Sequence, residues 1–264
     1  MSFALSSLYI GPMEQLTPPR VSTRATPDTI AAAELLDPAR LEALMAGFSA
    51  RYPGGDRRAL VSLWTKWHFA TLAATTLAAN LILERDLPLG LDDLRLILAP
   101  EGHIAGLCLK NEGRPLAELD GTARFTTLID DHLTPLIEGL AAYSGASPKV
   151  FWSNAGNYFE YFVSALPTHP MASQAMTEPA QRLMASRTLA DGRRNPLYQP
   201  VRYVDTDHVE TDHVETDHVD ANDEASPRRV RRLCCIRYLI DELGYCGNCP
   251  LECREHRRRP VEAT

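Results

Sequence analysis

The sequence opens without a basic n-region, and no apolar run near its start has the length that secretion requires. Nor is there an uninterrupted apolar segment fit to cross a bilayer. The longest such stretch, inside Leu60–Leu83, carries Lys66, His68, Asn80 and five serines or threonines, groups that hydrocarbon would reject. No Gly-rich phosphate loop and no Ser/His/Asp pattern stands out. Cysteine is nearly missing from the first 233 residues, where only Cys108 occurs. These absences predict a cytoplasmic protein with no transmembrane segment and no nucleic-acid partner. The net charge of -7 adds little, because the charges are unevenly placed along the 264 residues.

What is present is enough apolar sequence, 45% of all residues, for one substantial core or a main domain with an appendage. Residues 1–26 read as irregular. A helix is expected from Thr29 to Leu36, and Asp37-Pro38 supplies the cap and first-turn proline of another reaching Ala50. After Pro53-Gly54-Gly55, Asp56 caps a long helix to about Glu84, whose apolar residues Leu60, Leu63, Trp64, Trp67, Thr71, Ala74, Leu77, Ala78 and Leu81 recur at helical spacing. Leu94–Leu98 and His103–Leu109 flank Pro100-Glu101-Gly102 and read as a β-hairpin, with a weaker strand near Pro115–Leu119. Helices are again expected over Thr126–Tyr143, with Pro135 a kink or a later start, then from Ser147-Pro148 to Leu166, and over Glu178–Leu189. The fold class is therefore α+β and mainly helical: helices around a small antiparallel hairpin sheet, with a cysteine-rich C-terminal segment.

Residues 206–220 are a tandem repeat, TDHVE, TDHVE, TDHVD, inside an acidic stretch. A period of five suits neither a helix face nor a strand face, so the reading is an exposed, disordered loop lengthened by repetition; loose metal binding by its histidines is the alternative. Three parts follow: a mainly helical region 1–200, the acidic loop 201–227, and the cysteine-bearing segment 228–264. Cys234, Cys235, Cys246, Cys249 and Cys253 fall within twenty residues. In a compartment that keeps thiols reduced, such a cluster points to metal. Spacing alone permits a structural zinc site, a redox dithiol at Cys246-Gly247-Asn248-Cys249, or a [2Fe–2S] cluster on four thiolates. Arginines crowd the first pair, at 228, 229, 231, 232 and 237, and guanidinium groups stabilise an anionic cluster most in its reduced state.

Cys234-Cys235, ten residues, then Cys246-Gly247-Asn248-Cys249-Pro250-Leu251 resembles the C-terminal signature of FhuF-type ferric-siderophore reductases. The likeness continues through Asn195-Pro196-Leu197-Tyr198, Phe151-Trp152-Ser153-Asn154-Ala155-Gly156-Asn157 and Ser62-Leu63-Trp64-Thr65-Lys66-Trp67-His68-Phe69, and so covers residues 55–255. It implies a [2Fe–2S] cluster on Cys234, Cys235, Cys246 and Cys249. It also implies one-electron reduction of siderophore-bound Fe(III), on a ferric siderophore of hydroxamate type and with an electron donor the sequence does not name. The upstream region is similar to the C-terminal part of siderophore synthetases. Cys253 lies outside the four-cysteine pattern.

Within that scheme Arg231, Arg232 and Arg237 are candidates for tuning the cluster. Trp152, Asn154, Asn157, Tyr158 and Tyr161 are candidates for the substrate surface, although the aromatic ones also sit at core-helix spacing. His68 reads as a satisfied core or surface histidine, His103 as exposed, and Cys108 as a small buried side chain. His132, beside Asp130 and Asp131, reads as part of a helix N-terminus. The competing functions are a non-redox siderophore- or protein-binding module stapled by zinc, and a synthetase-like ligase, for which the chain is short.

Overall fold

The structure, a computed structural model, describes residues 5–117, 121–204 and 227–252. The TDHVE repeat, Cys253 and the arginines that follow it lie outside the described residues.

Two aspartates start the first two helices as their positions predict. Asp37 accepts the Ala39 N–H at the head of α1 (Pro38–Ser49), and Asp56 accepts those of Arg58 and Ala59 at the head of α2 (Arg57–Ile82). Each satisfies donors that a helix start leaves open. The central element is α2. It buries side chains around most of its circumference, among them Trp64, Phe69, Leu72, Leu77 and Leu81. A helix apolar on nearly all sides is stable only inside other elements. Its main partner is α4 (Pro148–Ala165), started by Ser147 and Pro148. Between them in sequence, α3 (Thr134–Ser144) ends at Gly145, which takes the left-handed φ of +76° that stops the helix. The last helix, α5 (Glu178–Ala185), stops four residues before the expected Leu189, and Thr188 bridges instead to Arg194.

The hairpin forms as expected from β4 (Leu94–Leu98) and β5 (Ile104–Leu109), with Gly102 at φ +82° in the turn and a register shift at Ile97/Leu98. It extends to a four-stranded sheet in the order β1-β5-β4-β2. The edge strands are β1 (Arg20–Val21), parallel to β5, and β2 (Thr29–Ala31), antiparallel to β4. The expected helix over Thr29–Leu36 is thus corrected: its first three residues pair with the hairpin and only Ala32–Leu36 turn, as a 3-10 helix. The open edge of β4 competes for that backbone, and Glu34 accepts the Ala31 N–H at the junction. Part of the irregular N-terminal reach likewise becomes β1. The weak strand near Pro115 forms only as β6 (Arg114–Pro115), which pairs not with the hairpin but with β3 (Arg85–Asp86).

Before α3, residues Thr127–Leu133 form a π-helical stretch. Pro135 has no N–H to offer, and the ladder widens just before it. The acidic stretch is bracketed by an unforeseen ribbon, in which β7 (Val201–Val204) pairs antiparallel with β8 (Arg228–Arg231). Gly156 on α4 makes room for this ribbon: a methyl group there would lie 2.6 Å from Pro200 Cβ. The architecture is α+β and mainly helical, and no helix among the described residues is long and apolar enough to cross a membrane.

Candidate metal centre

Polar residues recur on one face of each central helix: Ser62, Thr65 and Lys66 on α2, and Ser153, Asn154, Asn157 and Glu160 on α4. Such stripes at i, i+3, i+4, i+7 spacing would break a core unless something polar lay on them. The cysteine segment does. Ser62 Oγ donates to Cys235 O at 2.7 Å, and Ser153 Oγ to Leu233 O at 2.8 Å. Asn154 joins the helices, its amide nitrogen donating to Ser62 O and Oγ, both at 2.9 Å, while its oxygen accepts Arg231 Nη2 at 2.7 Å. Asn157 accepts from Asn248, inside the Cys246–Cys249 turn, at 2.7 Å, and from Arg229 at 3.0 Å. The backbone N–H of Arg231 reaches Asn248 O at 3.0 Å, which ties β8 to the same turn. The short turn Arg237–Leu239 packs on α2.

This platform brings Cys234, Cys235, Cys246 and Cys249 together. Cys234 Sγ lies 3.9 Å from Cys249 Sγ, and Cys235 Sγ lies 3.6 Å from Cys246 Sγ. A tetrahedral ion with metal–thiolate bonds of about 2.3 Å separates two of its sulfurs by about 3.8 Å. Each pair therefore has the spacing of two ligands on one ion, and four thiolates in two such pairs suit a two-iron group. Among the described residues no three histidine, cysteine or carboxylate side chains surround a single ion position. Cys235 and Cys249 are 1% exposed and Cys246 8%, while Cys234 is half-buried and reaches the surface. Tyr245 and Leu251 pack against the sulfurs.

The loop is shaped around Cys234. Ile236 holds a φ of +55°, a left-handed value that a β-branched residue adopts only at a cost, and its N–H points at Cys234 Sγ at 3.3 Å. The Cys235 thiol is pushed down, first by hydrogen bonds from Cys234 and Cys246, then by the charges of Lys66 and Arg231. Cys246 is pushed up, chiefly by its bond to Cys235 and by burial, and Cys234 is pushed up by the same two causes.

The other sequence candidates separate into distinct roles. Arg231 is 1% exposed and lies at the centre of the network. Arg232 is exposed and donates to Gln199, away from the cysteines. Arg237 spans the loop before Cys246, donating to Leu243 O at 2.8 Å, to Gly244 O and to Tyr245 O; its work is to hold that loop. Asn154 is fully buried with its amide engaged on both sides, so a chelate at the surface cannot reach it. Asn157 is half-buried and likewise occupied. Trp152 and Tyr158 pack, partly buried, against the main core, whereas Tyr161 is 51% exposed. Burial raises the Tyr158 hydroxyl, with the nearby Cys235 and Cys246 adding to the shift.

Sequence reasoning missed site roles for Ser62, Lys66, Ser153 and Glu160. The available signal was their regular spacing within otherwise apolar helices. It also separated two histidines that the fold joins. His68 and His132 are fully buried, with Nε2···Nε2 at 2.8 Å. His132 Nδ1–H donates to Leu89 O at 2.7 Å, so its Nε2 accepts from His68, and His68 Nδ1 is left without a partner. His132 is thus a core residue rather than part of a helix N-terminus. Cys108 is buried as expected, whereas His103 is half-buried with its ring 5.1 Å from that of Trp67.

Comparison with known proteins places this geometry. Residues 62–211 match the family described as ferric iron reductase FhuF-like transporter, and residues 231–251 match the FhuF 2Fe-2S C-terminal domain. The ferric siderophore reductase of Escherichia coli (strain K12) is 24% identical over 202 residues, covering 75% of this chain and 67% of that protein. Among solved structures, the aerobactin synthetase IucC from a hypervirulent pathotype of Klebsiella pneumoniae aligns with a TM-score of 0.48 at 13% identity. That alignment covers 71% of this chain but only 38% of the synthetase. The first match spans more than half of the chain, and the second falls on the four gathered cysteines. The chain belongs to the FhuF-like ferric iron reductase family, a family of oxidoreductases, and its C-terminal segment is a [2Fe–2S] domain.

Proposed function

We infer that this protein is a ferric-siderophore reductase, taking single electrons from a donor and passing them to Fe(III) held by a hydroxamate-type siderophore in the cytoplasm. The observation that carries this reading is the gathering of four cysteine sulfurs in two close pairs, three of them buried and one, Cys234, at the surface. Cys234, Cys235, Cys246 and Cys249 are the ligands of the [2Fe–2S] cluster, which when bound stores and supplies one electron at a time. The chain's own contribution is to exclude water from three ligands and to present the fourth. The Ile236 N–H steadies Cys234 Sγ, and the exposed Leu233 and Tyr238 flank that cysteine in sequence. We assign these two, and Tyr161 exposed on α4, as the side chains offered to a chelate of apolar spacers and carbonyl oxygens. Fe(III) gains the electron there and becomes Fe(II), an ion that hard oxygen donors hold far less tightly. The first 200 residues then serve as the chelate-binding region, and the segment from 228 onward as the cluster-binding one.

Iron and acid-labile sulfide on anaerobically purified protein, with EPR after dithionite, test the reading. About two irons and two sulfides per chain are expected, with an EPR signal that appears on reduction. The reduced protein should then generate Fe(II) from a ferric hydroxamate, captured by a coloured Fe(II) chelator. Cys253→Ser should keep the cluster absorbance. One tightly held zinc without sulfide would move the protein to the class of zinc-stapled binding modules.

A further inference from the structure

The arginines around the first cysteine pair are not equivalent. Arg228 is ion-paired with Glu252, and Arg229 with Glu160. Arg232 and Arg237 are spent on Gln199 and on loop carbonyls. Arg231 differs from all of them. It is 1% exposed, its Nη2 meets only neutral acceptors, Ser153 O and Asn154 Oδ1, and its Nε has no partner. No carboxylate pairs with it among the described residues. Lys66 is a second cation of this kind, half-buried on α2 and likewise without a carboxylate among the described residues.

A buried cation without a counter-charge is costly, and removing one partner of a buried pair destabilises for the same reason. Such a charge persists where an anion meets it. The anion here is fixed by position. Lys66 lies one helical turn after Ser62, on the same face, and Ser62 holds the Cys235 carbonyl. Arg231 is bound through its backbone to the Cys246–Cys249 turn and through its side chain to the asparagine that also grips Ser62.

We propose that Lys66 and Arg231 are the built-in counter-charges of the four-cysteine site and set how readily its cluster accepts an electron. This rests on the cluster reading above. Two ferric ions, two sulfides and four thiolates carry a formal charge of about -2, which becomes about -3 on reduction. Two cations therefore balance the oxidised group and attract the reduced one more strongly. Removing either disfavours reduction. Arg231 also organises the network beneath the segment, whereas Lys66 touches none of it, so Lys66 separates charge from folding.

The test is an EPR-monitored redox titration of cluster-bearing wild-type protein beside K66R, K66Q and K66E, with R231K as a companion. At the wild-type midpoint, K66Q should lower the ratio of reduced to oxidised cluster at least about tenfold, a shift of about 59 mV for one electron. K66E should lower it further, and K66R should stay close to wild type. Iron and sulfide content should be equal in all four. A midpoint that is the same in K66Q and K66E as in wild type, with the cluster intact, overturns the counter-charge assignment alone. A wild-type protein that carries no iron and sulfide overturns the cluster reading and this proposal together.

Discussion

The two ends of α2 make different kinds of site. Its N-terminal half carries Ser62, Thr65 and Lys66, and over it lies a segment of short loops held by side-chain hydrogen bonds as well as by Ile240, which enters the main core. Its C-terminal end leads through β3 to the wall of a cavity of about 730 Å³, lined by Asp86, Asp92, Asp93 and Asp131 along with Lys110 and Arg114. From Ser62 to Ile82 the helix rises roughly 30 Å. Volume, a usual sign of a ligand site, lies in a cavity that no cysteine lines, while of the four gathered sulfurs three are buried and that of Cys234 is half-buried. For electron transfer to a chelate that need not be enclosed, an exposed edge is the more useful feature.

The strongest way to break this comparison is at the sulfurs. Cys246→Ser should abolish the visible absorbance and the EPR signal while leaving the helical far-UV spectrum in place, because the main core does not depend on that residue. Survival of a full cluster would show that Cys246 is not a ligand. The platform below comes next. Asn154→Leu keeps the volume but leaves Ser62 and Arg231 without their shared partner, and buried groups so orphaned cost about 2–3 kcal/mol. Denaturant unfolding should register that loss, and the cluster should be shed on mild heating. An unfolding curve identical to wild type would mean that something other than this network holds the segment.

Acid should act at the middle of α2, where His68 meets His132. Burial depresses both His68 and His132, the latter to about 4 from an ordinary 6.5, and the charge of His132 further opposes protonation of His68. The unfolded chain therefore takes up protons first as the pH drops. Stability is full above about pH 6.5 and falls from there toward about pH 4, by about 1.4 kcal/mol per pH unit for each proton taken up. Hydrogen exchange near pH 5 should show the π-helical stretch and the loop at Leu89 opening first. Uniform opening along the chain would mean that the histidine pair does not set the acid response.

Much of this fold is legible in its local signals. Asp37, Asp56 and Ser147 mark helix starts because a cap is a contact between near neighbours, and Gly102 marks the hairpin turn for the same reason. The cysteine positions are legible because ligand spacing is a property of the chain itself. What could not be read depends on distant partners. Thr29–Ala31 becomes a strand only because β4 offers an edge, β7 and β8 meet across a long insert, and His68 and His132 are 64 residues apart. Asn154 is the instructive case. An amide in a helix beside aromatic residues suits a substrate surface as well as a structural clamp, and only the arrival of Ser62 and Arg231 on its two sides decides between them.

The smallest expected effect sharpens the contrast most directly. Asp131 is exposed and lines the cavity, to which no cysteine contributes. Asp131→Asn removes a charge there without creating a void, and a surface change of this kind typically alters stability by no more than about 0.5 kcal/mol. If the chelate docks beside Cys234, the KM for a ferric hydroxamate and the cluster midpoint should both match wild type. A raised KM with an unchanged midpoint would place the substrate in the cavity after all. The electron would then need a route along α2, and Leu233, Tyr238 and Tyr161 would be left to the electron donor.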